Sequence, residues 1–338
     1  MAEALNNVET LTFGPVPSRR LGRSLGINNV PAKTCSYSCV YCQIGQTTNM
    51  SCGRRVFYNP EIIVTEVKRR ISRAKMRSET IDYLTFVPDG EPTLDVNLGD
   101  EIGLLKQTGI RVAVLSNASL IWQKDVRRAL QKSDFVSLKI DAVSETIWRR
   151  INRPHKDLKL ELILKGIATF ANKFKGILTS ETMLIDKMFY GDEFERIAEF
   201  LGNLKKLDRA YIAVPTRPPV ESWVEPAQEE KLNKAFQAFS DTLGFDRVEY
   251  LLGYEGDSFA FMGRVEEDLL SIMAVHPMRK EAIDDFLKKA KADWSTIEKL
   301  VDQGMLIQLE YGGNSYYMRK MPGDRSLDRA RMGGTMPD

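Results

Sequence analysis

The chain holds four cysteines and two histidines, and the cysteines, Cys35, Cys39, Cys42 and Cys52, all fall inside one short segment. The first three have the spacing C-x3-C-x2-C. Three thiolates on so short a loop present their sulfurs to one side and can take three corners of an iron–sulfur cubane, which leaves one iron for a ligand that is not a cysteine. The rival occupant is zinc, which closes on four ligands and accepts thiolates, with Cys52 as the fourth. So few cysteines leave no room for a disulfide framework. His155 and His276 are read as lone histidines and not as ligands.

Such a loop needs a scaffold that holds it. Short β-branched and apolar runs alternate with longer stretches of helical period, the pattern of repeated βα units. The expected strands are 24–28, 81–87, 111–116, 135–140, 177–185 and 210–215. The expected helices are 60–74, 97–108, 123–131, 158–174, 192–204 and 227–243, the first opened by Pro60. A parallel α/β array of this kind carries its chemistry at the C-terminal ends of its strands. There the sequence places the cysteine loop, then Gly90-Glu91-Pro92, Asn117, Lys139 with Asp141, and 214–217, while Met183 lies within the fifth strand.

Beyond about residue 264 the pattern changes. Three short helices, 265–275, 279–290 and 295–303, precede a hairpin of 305–309 and 315–319 around Gly312-Gly313-Asn314, which is the layout of a winged helix. The expected division is a core over 1–263, a winged-helix-like unit over 264–320 and a flexible tail over 321–338.

With 338 residues, 43% hydrophobic and 28% charged, the chain is of ordinary globular composition, which excludes collagen, coiled coil and disorder as its main class. It has no apolar run of membrane-spanning length, and its start lacks the layout of a signal peptide, so the cytoplasm is the expected location. The overall charge, 48 basic against 46 acidic residues, is balanced, yet residues 1–80 carry twelve basic against five acidic. That bias suits either an anionic partner or a solvated helix face at 68–77.

The loop Cys35-x3-Cys39-Val40-Tyr41-Cys42 resembles the signature of the radical S-adenosylmethionine (SAM) superfamily. Residues 84–94 resemble that family's Gly-Gly-Glu-Pro motif, with Asp89 in the place of the first glycine. The resemblance covers roughly 12–243 and implies a partial (β/α)6 barrel of the TIM type, followed here by the small winged-helix unit. It implies a [4Fe–4S] cluster on Cys35, Cys39 and Cys42, whose open iron is chelated by SAM. It also implies Tyr41 near the adenine, and Gly90, Glu91 and Pro92 at the SAM amino group, where glycine admits the backbone and carbonyls or a carboxylate accept protons. Asn117, Lys139 and Asp141 follow as further SAM contacts, and no catalytic residue beyond these sites is implied. Cys52 has no counterpart and is read as a spare thiol. Residues 13–27 resemble the opening of a subgroup of Fe–S oxidoreductases similar to the wyosine-forming tRNA enzymes; those carry upstream cysteines for a second cluster, and none precedes Cys35 here.

What the resemblance implies is an enzyme to which a flavodoxin- or ferredoxin-type donor supplies a low-potential electron. SAM is then cleaved to methionine and a 5′-deoxyadenosyl radical that takes hydrogen from a substrate. RNA or tRNA modification is the leading reading of that substrate. The alternative is a protein- or peptide-directed maturase or activase that docks through the winged helix. Arg19, Arg20 and Arg23, with the basic and aromatic stretch 148–156, suit phosphate or carboxylate recognition. In the third helix of the winged-helix layout, Glu298 and Asp302 outweigh Lys299, which argues against sequence-specific DNA reading. A zinc-stabilised DNA-binding regulator would need Cys52 bound to the metal and the Gly-Glu-Pro match to be accidental.

Overall fold

A computed structural model describes residues 11–252 and 259–320; the tail expected over 321–338 lies outside the described residues. Strand β1 (Thr12–Ser18) turns back antiparallel into β2 (Gly22–Ile27), and β3 (Thr34–Cys35) pairs with β4 (Asn49–Met50) as a two-residue clip across the cysteine loop. There follow β5 (Tyr83–Phe86), β6 (Arg111–Ser116), β7 (Phe135–Lys139), β8 (Ile177–Met183), β9 (Arg209–Ala213) and β10 (Val248–Leu251). The large sheet has the order β1-β2-β5-β6-β7-β8-β9-β10, and every pair from β2 onward is parallel. This is the α/β architecture expected, six βα units that form a partial barrel, with one strand added at each edge.

The helices Pro60–Met76, Leu98–Lys106, Lys124–Leu130, Leu160–Ala171, Glu193–Gly202 and Glu229–Leu243 cover one face. Asn59 caps the first of these by accepting from the Glu61 N–H, with Pro60 inside the start. Alternation along the strands sets the layers. Val112, Val114, Val136 and Leu138 pack into the core under the helices, while Leu21, Tyr83, Ala113 and Phe135 plug the barrel interior. Further along the same inward faces the residues turn polar, with Ser24, Thr85, Ser137, Lys139 and Glu181.

Besides the two-residue strands β3, β4 and Met278–Arg279, three longer elements were not expected. β1 carries Pro15 and Pro17 and was not among the expected strands; it exists because it is the sheet's edge, where a missing N–H is tolerated. β10 is four residues on the opposite edge, too short for a period to show. The helix Glu145–Asn152 is a single amphipathic stretch of eight residues hidden in a basic run.

Residues 265–319 form the helices Val265–Val275, Lys280–Ala290 and Ser295–Asp302, with β11 (Met278–Arg279), β12 (Leu306–Tyr311) and β13 (Asn314–Arg319) in a sheet of order β11-β13-β12. These elements are not independent of the rest. Leu269, Met273, Phe286 and Leu300 share one core with Phe13 and Val16 of β1. Beneath that seam Arg70, 1% exposed, donates to Asp268, 2% exposed, at 3.1 Å and to the Thr12 hydroxyl at 3.2 Å. The other Asp268 oxygen accepts from the Met262 N–H at 2.8 Å. Removing one partner of such a pair strands a buried charge. Arg70→Met is expected to cost about 3–5 kcal/mol in urea denaturation, and the double variant with Asp268→Leu should recover most of it.

Candidate functional site

The cysteine loop is fastened along its length before any ligand is considered. The Thr48 and Asn49 N–H groups donate to the Lys33 carbonyl, and the Ser51 N–H donates to that of Cys35. From the other side, the Val40 N–H donates to Ile151 and the Ser38 N–H to Asn152, which ties the loop to the end of the helix Glu145–Asn152. The result is a cavity of about 350 Å³ at the C-terminal ends of the strands. Its wall includes Cys35, Cys39 and Cys42 together with Tyr41, Gly90, Glu91, Asn117 and Lys139.

The three thiols suit a cationic cluster. Burial pushes all three up, Cys39 to about 12 and Cys35 well above the ordinary thiol range, with Glu91 adding to the effect at Cys35. A site that penalises thiolates this way needs positive charge to hold them, and an iron–sulfur cluster supplies it. The Asn117 side-chain amide points N–H at the Cys35 sulfur, 3.5 Å away, and Asn152 does the same to Cys39 at 3.4 Å. N–H donors aimed at sulfur favour the bound thiolate. Cys52 is absent from this wall; its sulfur lies 3.4 Å from His155 Nδ1.

Gly90 is held by a close approach. A Cβ on it would overlap the Thr34 carbonyl oxygen, the residue before Cys35, and the adjoining Glu91 N–H donates to that same oxygen at 3.1 Å. The buried Glu91 carboxylate then takes four donors: Thr93 N–H and hydroxyl, the Ser116 hydroxyl at 2.7 Å and the Asn117 N–H at 2.7 Å. Burial raises its pKa and these bonds oppose the rise. Glu91 therefore fixes the end of β6 and with it Asn117. Pro92 stands off the wall in a short 3₁₀ turn, where its carbonyl accepts from Asn29 at 3.1 Å. Asp89 is buried and pushed up to about 7 by desolvation, with Lys33 and Arg319 opposing.

Opposite the thiols the wall is charged. Lys139 donates to Glu181 at 2.8 Å and lies 4.6 Å from the centre of the Tyr41 ring. Arg20, from the β1–β2 turn, enters the barrel to pair with Glu181, and Arg19 reaches the Leu252 carbonyl at the far edge at 2.7 Å. Burial works against a charged Glu181, but Lys139 and Arg20 outweigh it and hold the carboxyl at about 2. Asp141 sits behind the wall; it accepts from the Tyr41 hydroxyl, from Asn152 at 2.6 Å and from the Met183 N–H at 2.8 Å, and so sets the Tyr41 ring.

The remaining wall comes from residues the sequence gave no reason to join. Gln43 Nε2 donates to the Val275 carbonyl at 2.9 Å, and the buried Arg217 donates to Gln43 at 3.0 Å and to His276 Nε2 at 2.7 Å. Burial and Arg217 push His276 well below its ordinary pKa, so the ring is neutral and accepts. The Tyr311 and Tyr316 hydroxyls donate to the Pro215 and Thr216 carbonyls at 3.1 and 2.8 Å. The C-terminal elements thus line the cavity. Of the basic groups expected at its mouth, Arg19 and Arg20 are there. The Arg23 side chain instead pairs with Glu79 at the base of the barrel, and its backbone N–H donates to Asp82. Arg149 pairs with Glu145 and Arg153 with Glu221. Glu181 was legible in principle, since Thr179, Glu181 and Met183 share the inward face of β8; Arg217 and Asn152 fall in the expected 214–217 and 148–156 stretches without their partners being foreseen, and His276 was read as a lone histidine.

The family model described as the Radical SAM superfamily matches residues 29–201, and the chain belongs to that superfamily. Within it, the chain is 47% identical over 313 residues to UPF0026 protein MJ1312 of Methanocaldococcus jannaschii, covering 92% of this chain and 97% of that one. It is 38% identical over 216 residues to UPF0026 protein slr1464 of Synechocystis sp., covering 63% and 78%. Among solved structures it is similar to TYW1 with a lysine–pyruvate adduct bound, at 18% identity and a TM-score of 0.47, covering 65% of this chain and 73% of that one. Enzymes of the superfamily use a [4Fe–4S] cluster and SAM and need a reductant. No helix among the described residues is long and apolar enough to cross a membrane.

Because four donors converge on Glu91, Glu91→Gln places an amide NH₂ among them and leaves a buried donor without its acceptor. The expected loss is about 1–3 kcal/mol of stability by denaturant titration, accompanied by weaker SAM binding in equilibrium dialysis.

Proposed function

We propose that the chain is a radical SAM enzyme acting on a substrate that bears an anionic group. The observation that carries this is the pairing, across one cavity, of three half-buried thiols, two of them met by side-chain amide N–H groups, with a wall supplied by Arg20, Lys139 and Arg217. Cys35, Cys39 and Cys42 would hold the [4Fe–4S] cluster, which with SAM supplies reductive cleavage to methionine and a hydrogen-abstracting 5′-deoxyadenosyl radical. Tyr41, Gly90, Asn117 and Lys139 would bind SAM directly; Glu91, Pro92 and Asp141 would hold those groups from behind. Lys139, kept charged by Glu181 and Asp141 against its burial, suits a carboxylate.

In this reading the chain divides into a core over 1–263 and a winged-helix-like unit over 264–320, and contacts of the latter with Gln43, Arg217 and Pro215 at the cavity rim support it. RNA is the favoured substrate class, because phosphates suit Arg19, Arg20 and Arg217. Protein- or peptide-directed maturation, the other class, would ask the C-terminal unit to dock a partner, whereas Tyr311 and Tyr316 engage the barrel's own Pro215 and Thr216.

Protein purified without oxygen should be brown, hold about four irons, and release 5′-deoxyadenosine from SAM on reduction by dithionite. Cys42→Ala should abolish that release. Colourless, zinc-loaded protein would overturn the reading. Deuterium passed into 5′-deoxyadenosine from labelled tRNA, peptide or metabolite pools identifies the substrate class.

A further inference from the structure

His155, read from the sequence as a lone residue, is not alone. Asp157 stands two residues on, and the fold brings Cys52 to it from the segment after β4. The Cys52 sulfur lies 3.4 Å from His155 Nδ1 and an Asp157 oxygen lies 3.6 Å from the same nitrogen. All three ligand atoms fall within 4.8 Å of one another. Zinc bonds of about 2.3 Å to sulfur and about 2.0–2.1 Å to nitrogen or oxygen put tetrahedral ligand atoms about 3.3–3.6 Å apart. Two edges of the triangle already have about that length.

The Asp157 backbone N–H donates to His155 Nδ1 at 3.3 Å, so that nitrogen is unprotonated, and a metal would take the lone pair this bond now uses. Cys52 and His155 are half-buried and Asp157 is exposed, which leaves a fourth position open to water. We propose that Cys52, His155 and Asp157 form a second metal site, for zinc, separate from the cluster cysteines. The metal takes the place of the thiol proton shared toward His155, and that proton passes to solvent on binding.

The site sits on the outer side of the cluster loop. The His155 N–H donates to the Ser36 carbonyl at 2.8 Å, and the Ser51 N–H, next to Cys52, donates to the Cys35 carbonyl at 3.0 Å. An ion here ties the segment after β4 to the segment after the helix Glu145–Asn152, and so clamps the loop that carries Cys35 and Cys39. Its role is structural support for the cluster loop.

The test uses the full chain with its cluster reconstituted under argon, so that Cys35, Cys39 and Cys42 are occupied, and zinc ion as the probe. Zinc and iron are counted per chain after equilibration against a competing chelator. About one zinc should be held beside about four irons. Cys52→Ser and His155→Ala should weaken zinc at least about tenfold with iron unchanged, and Asp157→Asn, at an exposed position, should weaken it several-fold. Zinc should also slow alkylation of Cys52 by iodoacetamide, read by mass spectrometry of the unmodified wild-type chain. The proposal is overturned if the wild type holds no zinc, if the variants hold as much as the wild type, if zinc leaves the alkylation rate unchanged, or if Cys52→Ser loses iron, which would make it a cluster ligand.

Discussion

The carbonyl of Thr34 is the point on which the site depends. It accepts from the Glu91 N–H and lies so close to Gly90 that no side chain fits between them. This one contact joins the cysteine loop to the end of β5, and Glu91 carries the connection onward to β6 through Ser116 and Asn117. Asn117 then turns its amide back to Cys35. The loop, two strand ends and the first sulfur therefore form a closed circuit of bonds. A glycine and a glutamate are needed side by side because the first gives space and the second satisfies the donors that the tight approach brings together.

The barrel interior is a second consequence of the same economy. Its lower half is filled by Leu21, Tyr83, Ala113 and Phe135, which bury apolar surface and stabilise the sheet. Its upper half carries Lys139, Glu181 and Arg20, charges that burial alone would disfavour. They are tolerated because each neutralises another, and because the net excess of positive charge faces the cavity. Half-buried thiols on one side face, on the other, a Lys139–Glu181–Arg20 cluster in which two cations share one carboxylate.

The α/β class and the six central strands were legible because parallel strands buried on both faces give continuous apolar runs and because their helices have a clear period. The edges were not: β1 is interrupted by two prolines that only an edge allows, and β10 has four residues. At the site, Cys35, Cys39, Cys42 and Gly90-Glu91 could be found because their chemistry lies in local spacing. Gln43 and His276 could not, and for Asn152 and Arg217 only the stretches 148–156 and 214–217 could, since each contributes through a contact with a segment distant in sequence. Asp141 was read as a cofactor contact from its place after β7, but a strand-end position does not say which way a side chain turns, and this one turns behind Tyr41. Cys52 and His155, more than a hundred residues apart, illustrate the same limit.

The two ends of the described chain meet over the barrel. β1 supplies Phe13 and Val16 to the core of the C-terminal helices, and the turn after β1 supplies Arg19 and Arg20 to the cavity. The C-terminal elements supply Val275 and His276 to the same wall, and their hairpin is bonded to the backbone after β9. A closing element held by its own apolar core on β1 and by the buried Arg70–Asp268 pair can be rigid at its base. Its contacts with the barrel rim include hydrogen bonds to Gln43, Arg217, Pro215 and Thr216, each worth about 0.5–1.5 kcal/mol, and the charge of Arg319 acting on the buried Asp89. The C-terminal unit is therefore better understood as part of the site than as an appended reader.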